Sequence, residues 1–271
     1  GPFTKDAQAF WVGMLPVRLL KMLRRVPLTW SIFSAYEFLL ASLAAAVTRP
    51  SLVRSFLEER GVRTASYGPR ESQRLLLFGT GEVSPVIVFV HGGVWCRSRY
   101  WMYRLVGRRF QARGFATAVV GYGMYPESTV PEMVADLRTA LAWLRGEGLA
   151  EGLDTSRTVL VGHSSGGHLC ALAALAGEGP SLAGVATMSS PFDISDHYAY
   201  ERSRGVADVS PLHPANGGEA GFPLVSPPRI LRQLPPQCVK GLPPFFVGHG
   251  GEDAVVPEDQ AEKFSAALRA E

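Results

Sequence analysis

Gly162-His163-Ser164-Ser165-Gly166 sets a serine between two glycines, after the apolar residues 158–161 and before a stretch rich in Ala and Leu. A strand that turns sharply into a helix needs small residues on both sides of the turn, and the residue at the tip then stands exposed. A serine hydroxyl held there is a nucleophile for acyl transfer. The Ser165 backbone N–H and the helix N-terminus are placed to stabilise negative charge on the attacked carbonyl oxygen. Five such residues also arise as a plain glycine-rich turn; the strand–turn–helix setting favours the nucleophile.

Two further stretches could complete such a site. His91-Gly92-Gly93-Val94-Trp95 follows the β-branched run 85–90. Glycines after a strand let the backbone approach a substrate and aim N–H groups at a developing oxyanion. Alone, this is as easily an ordinary Gly-Gly turn. With the serine turn some 70 residues on, Gly92 and Gly93 become expected oxyanion donors beside Ser165, and His91 a structural residue. His249-Gly250-Gly251-Glu252-Asp253 follows the apolar run 242–247 and offers an acid at the C-terminal end of a strand, where α/β sites are built. Asp253 is the expected acid, with Glu252 its rival. Trp95, Tyr100, Trp101 and Tyr103 form an aromatic group after the first loop that could line an apolar pocket or pack the next helix. Trp95 and Tyr122 are the expected substrate-binding residues among the aromatics.

The chain order of such a site is serine, acid, histidine. All six histidines, at 91, 163, 168, 197, 213 and 249, precede Asp253. His163 flanks the serine and is expected to point away from it. His168 is expected on the far face of its helix, and His197 and His213 in an insertion. The sequence therefore predicts a chain truncated before its last strand, with the general base after that strand, beyond Glu271.

The elements that must position these residues alternate. Strands are expected at 74–78, 85–90, 116–120, 158–161, 182–188 and 242–247, and helices at 100–113, 130–145, 165–176 and 257–270. Such β-α-β repetition implies a mostly parallel sheet with helices on both faces. Residues 191–236, rich in Pro, Gly and polar side chains, break the rhythm and read as an insertion over the strand ends of one domain covering 61–271.

Residues 1–60 form a separate, basic and apolar arm. Arg18, Lys21, Arg24 and Arg25 precede 26–47, whose only charged residue is Glu37. This run is long enough to cross a bilayer, with the basic side in the cytosol; it would also suit a helix on the membrane surface or one packed against the domain that follows. An endoplasmic reticulum or Golgi membrane is the expected location, the cytoplasm otherwise. The net charge of +3, with no basic face carrying interleaved aromatics, excludes nucleic acid. Cys96, Cys170 and Cys238 have neither disulfide-framework nor zinc spacing, and no metal or organic cofactor is expected.

Together, HGGVW, GHSSGGH, MYPESTVPEMVADLRTALAWL and LPPFFVGHGGEDAVVP resemble the α/β-hydrolase group of isoprenylcysteine methylesterases and kynurenine formamidases. The resemblance covers about 60–271. Residues 198–211, with Arg204-Gly205 and Ser210-Pro211, lean toward the methylesterase branch, as does the arm. The resemblance implies Ser164 as nucleophile, Asp253 as triad acid, and Gly92, Gly93 and Ser165 as oxyanion donors. It implies cleavage of a small ester on an apolar body, such as a prenylcysteine methyl ester. An arylformamidase and an inactive binding protein are the alternatives. One departure stands out: Gly121-Tyr122-Gly123 replaces a common Asp-Tyr-Arg, which removes an expected structural ion pair.

Overall fold

The computed structural model describes residues 50–58, 60–80, 82–147, 153–178 and 182–270; the apolar run 26–47 lies outside them. Seven strands form one sheet: β1 (Val62–Ser66), β2 (Arg74–Phe78), β3 (Ser84–Val90), β4 (Ala116–Val120), β5 (Leu153–His163), β6 (Gly184–Met188) and β7 (Phe245–Gly248). Their order is β1-β2-β4-β3-β5-β6-β7. The β1–β2 and β2–β4 pairs are antiparallel and the other four are parallel. Parallel central strands are covered on both faces, and the sequence shows it: all five residues of Ala-Thr-Ala-Val-Val in β4 are buried.

Alternate side chains of these strands feed two cores. Val86, Val88, Val90, Leu160 and Val185 point to one face, against α3 (Val130–Glu147) and α4 (Ser165–Ala173). Ile87, Phe89, Val119 and Val161 point to the other, where α2 (Arg104–Gln111) brings Val106 and Phe110. Helix α1 (Pro50–Leu57) sits beside α2, whose Arg104 donates to the Glu58 carbonyl at 3.0 Å. Helix α3 starts on a capping box: Glu132 reaches back to accept from the Thr129 N–H (2.7 Å) and hydroxyl (2.8 Å).

The expected strands and helices are present, with three differences. β1 has no counterpart in the sequence reading, because Val-Arg-Thr-Ala-Ser is a polar edge strand with little apolar signal. The helix expected over 165–176 is α-helical only to Ala173 and continues as a wider turn to Glu178, with Gly177 at φ 99°. The insertion is helical rather than irregular. It holds α5 (Ile194–Ser203), α6 (Leu212–Ala215), α7 (Gly218–Gly221), α8 (Pro227–Leu231) and α9 (Pro236–Lys240), before α10 (Asp259–Ala270) closes the described chain.

The ion pair expected to be lost at Gly123 is supplied from elsewhere. Asp136 on α3 is buried, pairs with Arg70 in the β1–β2 turn, and accepts from Gln73 Nε2 (2.8 Å) and the Gly123 N–H (2.9 Å). Removing one partner of a buried charge is costly, but the Arg70 side chain is half exposed and partly screened. Arg70→Ala is therefore expected to lower stability by about 1–3 kcal/mol, read as a fall in urea midpoint without a change in slope. An unchanged midpoint would show that Gln73 and Gly123 alone satisfy the carboxylate.

Candidate active site

The serine turn takes the conformation its glycines allow. Ser164 sits between β5 and α4 at φ 53°, ψ −128°, a region that non-glycine residues occupy only under constraint. The constraint is visible: the Ser164 N–H donates to the Met188 carbonyl on β6 at 2.8 Å. A β-carbon at Gly166 would come within 2.2 Å of the Val90 carbonyl oxygen, so α4 approaches the end of β3 as closely as glycine permits.

That close approach brings the second loop into the site. A β-carbon at Gly92 would lie 2.9 Å from Ser164 Cβ and 2.8 Å from the His163 carbonyl oxygen. The loop from Gly93 to Ser98 is itself constrained, with Val94 at φ 53°, Trp95 at 58° and Ser98 at 82°. Among the described residues, no hydrogen bond uses the backbone N–H of Gly93 or Ser165, and both belong to the two segments that meet at Ser164. Burial pushes up the pKa of the Tyr103 hydroxyl, and the nearby Gly92 backbone acts in the opposite direction. Gly92 gives the close approach of the two segments.

His91 is structural in this arrangement. It is buried, donates from Nδ1 to the Gly92 carbonyl at 2.8 Å, and stacks between Tyr103 and Tyr122. Burial lowers its pKa to about 4, which keeps the ring neutral.

Trp95 and Tyr122, the expected substrate-binding residues, are both buried. Trp95 is 1% exposed and donates from Nε1 to His168 Nδ1 at 3.2 Å; His168 Nε2 donates to the Val225 carbonyl at 2.6 Å. Tyr122 is 3% exposed and donates to the His91 carbonyl at 2.7 Å. Neither lines an open surface. Trp101 is exposed, and Tyr100 and Tyr103 are half-buried.

Asp253 follows β7, two strands from the serine turn in the sheet order. Its Oδ1 accepts from the N–H groups of Val255 (2.9 Å) and Val256 (3.0 Å), which fixes the carboxylate in its own turn. Its Oδ2 lies 3.8 Å from His249 Nε2, which is committed to the Val256 carbonyl at 2.9 Å. Oδ2 therefore keeps lone pairs for an incoming donor. Glu252, the rival acid, is exposed beside it.

The His163 ring lies beside the 91–95 loop, with Nδ1 3.2 Å from where a Gly92 β-carbon would sit. Burial lowers its pKa while the Asp253 charge acts in the opposite direction. No hydrogen bond joins any of the six histidines to the Ser164 side chain among the described residues. The described residues hold no cluster of three metal-ligating side chains and no helix long and apolar enough to cross a membrane. Cys96, Cys170 and Cys238 are free thiols. Sequence reasoning missed Tyr200 and Arg204, the insertion residues that reach the Asp253 turn; no spacing rule links positions so far apart.

Known proteins place this geometry in context. A BD-FAE family model matches residues 78–209. The chain is 28% identical over 229 residues to a probable isoprenylcysteine alpha-carbonyl methylesterase of Oryza sativa subsp. japonica, covering 79% of this chain and 55% of the relative. It is 30% identical over 227 residues to the esterase LipC of Mycobacterium tuberculosis, covering 77% and 55%. The chain thus spans about half the length of these curated relatives. Among solved structures, esterase B of Lactobacillus rhamnosis superposes with a TM-score of 0.65 at 20% identity, over 86% of this chain and 82% of that one. An esterase of Pseudomonas putida superposes at 0.66 and 22% identity, over 82% and 75%. At these identities the structural likeness carries the fold alone.

Proposed function

We propose that this chain, whose fold is that of α/β-hydrolase esterases, serves as a serine carboxylesterase for a small ester carried on an apolar body. Ser164 is the nucleophile. Its hydroxyl adds to the ester carbonyl while an imidazole, oriented by Asp253 Oδ2, takes the proton. The Gly92, Gly93 and Ser165 N–H groups hold the oxyanion, and Gly92 also allows the close approach of the two segments. The alcohol leaves with the proton returned by the imidazole, and water then releases the acid from the acyl-enzyme. The observation that carries this reading is the meeting of the two segments at Ser164: a serine at φ 53° opening a helix, with the Gly92 backbone against its β-carbon.

The substrate class rests on the insertion. Residues 198–211 resemble the methylesterase branch, and relatives bearing that name match over most of the chain. A methyl ester of an S-alkylated cysteine is the fitting substrate. A panel tests this: an S-farnesyl-cysteine methyl ester, a short p-nitrophenyl ester and an N-formyl aryl amine. Both esters are expected to turn over at least about 100-fold faster, in kcat/KM, than the formamide. Preference for the formamide would move the assignment to an arylformamidase.

A further inference from the structure

Helix α5 runs beside the turn that carries Asp253, and two of its side chains end on one atom. The Tyr200 hydroxyl donates to the Ala254 carbonyl at 2.8 Å. The Arg204 guanidinium donates to that same carbonyl and, at 2.8 Å, to the Tyr200 hydroxyl oxygen. It also lies over the Tyr200 ring, 5.5 Å from its centre. A carbonyl oxygen has two lone pairs, so these donors saturate the Ala254 oxygen.

Ala254 directly follows Asp253 and precedes the two residues whose N–H groups bind Asp253 Oδ1. Holding its carbonyl therefore fixes the peptide plane on which the carboxylate turn is built. The clamp has a firm base. The N-terminus of α5 is capped by Asp193, which also pairs with Arg229 at 2.7 Å, and Lys263 on α10 reaches Asp196 at 2.6 Å. Beneath the clamp lies buried His197, with Nε2 3.8 Å from Glu201 Oε1; the Asp253 charge acts on its ring. Glu201 in turn accepts from the Ser210 hydroxyl at 3.0 Å. The residues that give the insertion its methylesterase-like character thus converge on the turn after β7.

We propose that Tyr200 and Arg204 are positioning residues that hold Ala254 and so present the Asp253 carboxylate to its imidazole partner. This rests on the reading of Asp253 as the triad acid. Neither side chain touches substrate; both act through the turn.

The test uses the full chain with Arg204→Ala, Arg204→Lys, Tyr200→Phe and the Tyr200→Phe/Arg204→Ala double variant. Arg202→Ala is the control, since Arg202 faces Glu219 and the Tyr198 ring instead. Backbone hydrogen exchange at Val255 and Val256 is expected to quicken about 10-fold in Arg204→Ala, with the β5 amides and the control unchanged. Turnover of a short p-nitrophenyl ester, per serine titrated with a fluorophosphonate, is expected to lose about 10-fold in kcat, with KM held within about twofold. Arg204→Lys keeps one donor and recovers most of both losses. The double variant matches Arg204→Ala within about twofold, because both side chains act through one oxygen. Unchanged exchange at both amides in Arg204→Ala overturns the clamp, as does faster exchange with unchanged kcat. A parent protein that carries the histidine expected beyond Glu271 and still neither labels nor turns over sinks the esterase reading instead, while the exchange result still decides the clamp.

Discussion

Ser164→Ala is expected to remove labelling by a fluorophosphonate probe and to cut ester turnover by at least about 10³-fold, with the fold intact. The expectation follows from the turn. The Ser164 hydroxyl leads the only step that the neighbouring N–H groups can assist, so its loss leaves just the background that an oxyanion hole and binding provide. Stability should move by less than about 1 kcal/mol, because the hydroxyl takes part in no hydrogen bond among the described residues. Ser164→Gly sharpens the test. At φ 53° a glycine relieves the strain that a serine bears, so this variant should melt higher than the parent while being equally inert. Labelling that survives either substitution removes Ser164 from the mechanism. A collapse of the melting transition in Ser164→Ala would instead mean that the side chain holds the turn together.

Much of this site was legible because its parts are local. A nucleophile turn is written in five consecutive residues, and buried parallel strands are written as β-branched runs, so β3, β4 and the Ser164 turn could be read directly from the chain. Parts that depend on distant partners could not. β1 is polar and owes its place to pairing with β2, from Val62 opposite Phe78 to Ser66 opposite Arg74. The four- and five-residue helices of the insertion are too short to show a 3.6-residue period. Trp95 and Tyr122 read as substrate-facing aromatics because they border glycine loops. Their indole N–H and phenol find buried acceptors instead, His168 Nδ1 and the His91 carbonyl, and such partners are invisible in the sequence. The Arg70–Asp136 pair shows the same limit: the lost cation near Gly123 was legible, and its replacement 66 positions before Asp136 was not.

Acidification is expected to destabilise the protein steeply between pH 6.5 and 4. Three buried histidines set the sign. His91, His168 and His197 each have their pKa lowered from 6.5 to about 4, in every case chiefly because burial penalises the charged ring. In the unfolded chain these rings take up protons as the pH falls through 6.5, whereas in the folded protein they resist until about 4. The unfolded state therefore binds more protons throughout that window, and stability falls with pH. Each fully shifted ring is worth on the order of 3 kcal/mol, an upper bound, because partial opening and water entry relieve the penalty. Glu201 works against them. Burial raises its pKa from 4.5 to about 7, so its contribution to stability is present below pH 4.5 and is lost as the pH rises through 7. One carboxyl offsets about one histidine, and the net loss on going from pH 7 to 4.5 should remain several kcal/mol, comparable with the whole stability of an ordinary domain. The measurement is a series of urea midpoints at pH 7, 6, 5 and 4.5. Two variants assign the terms. His197→Gln should flatten the acid limb by about half, and Glu201→Gln should steepen it. A midpoint that holds constant or rises on acidification would mean that the buried rings already carry protons in the folded state, and the neutral tautomers assigned to His91 and His168 would have to be abandoned.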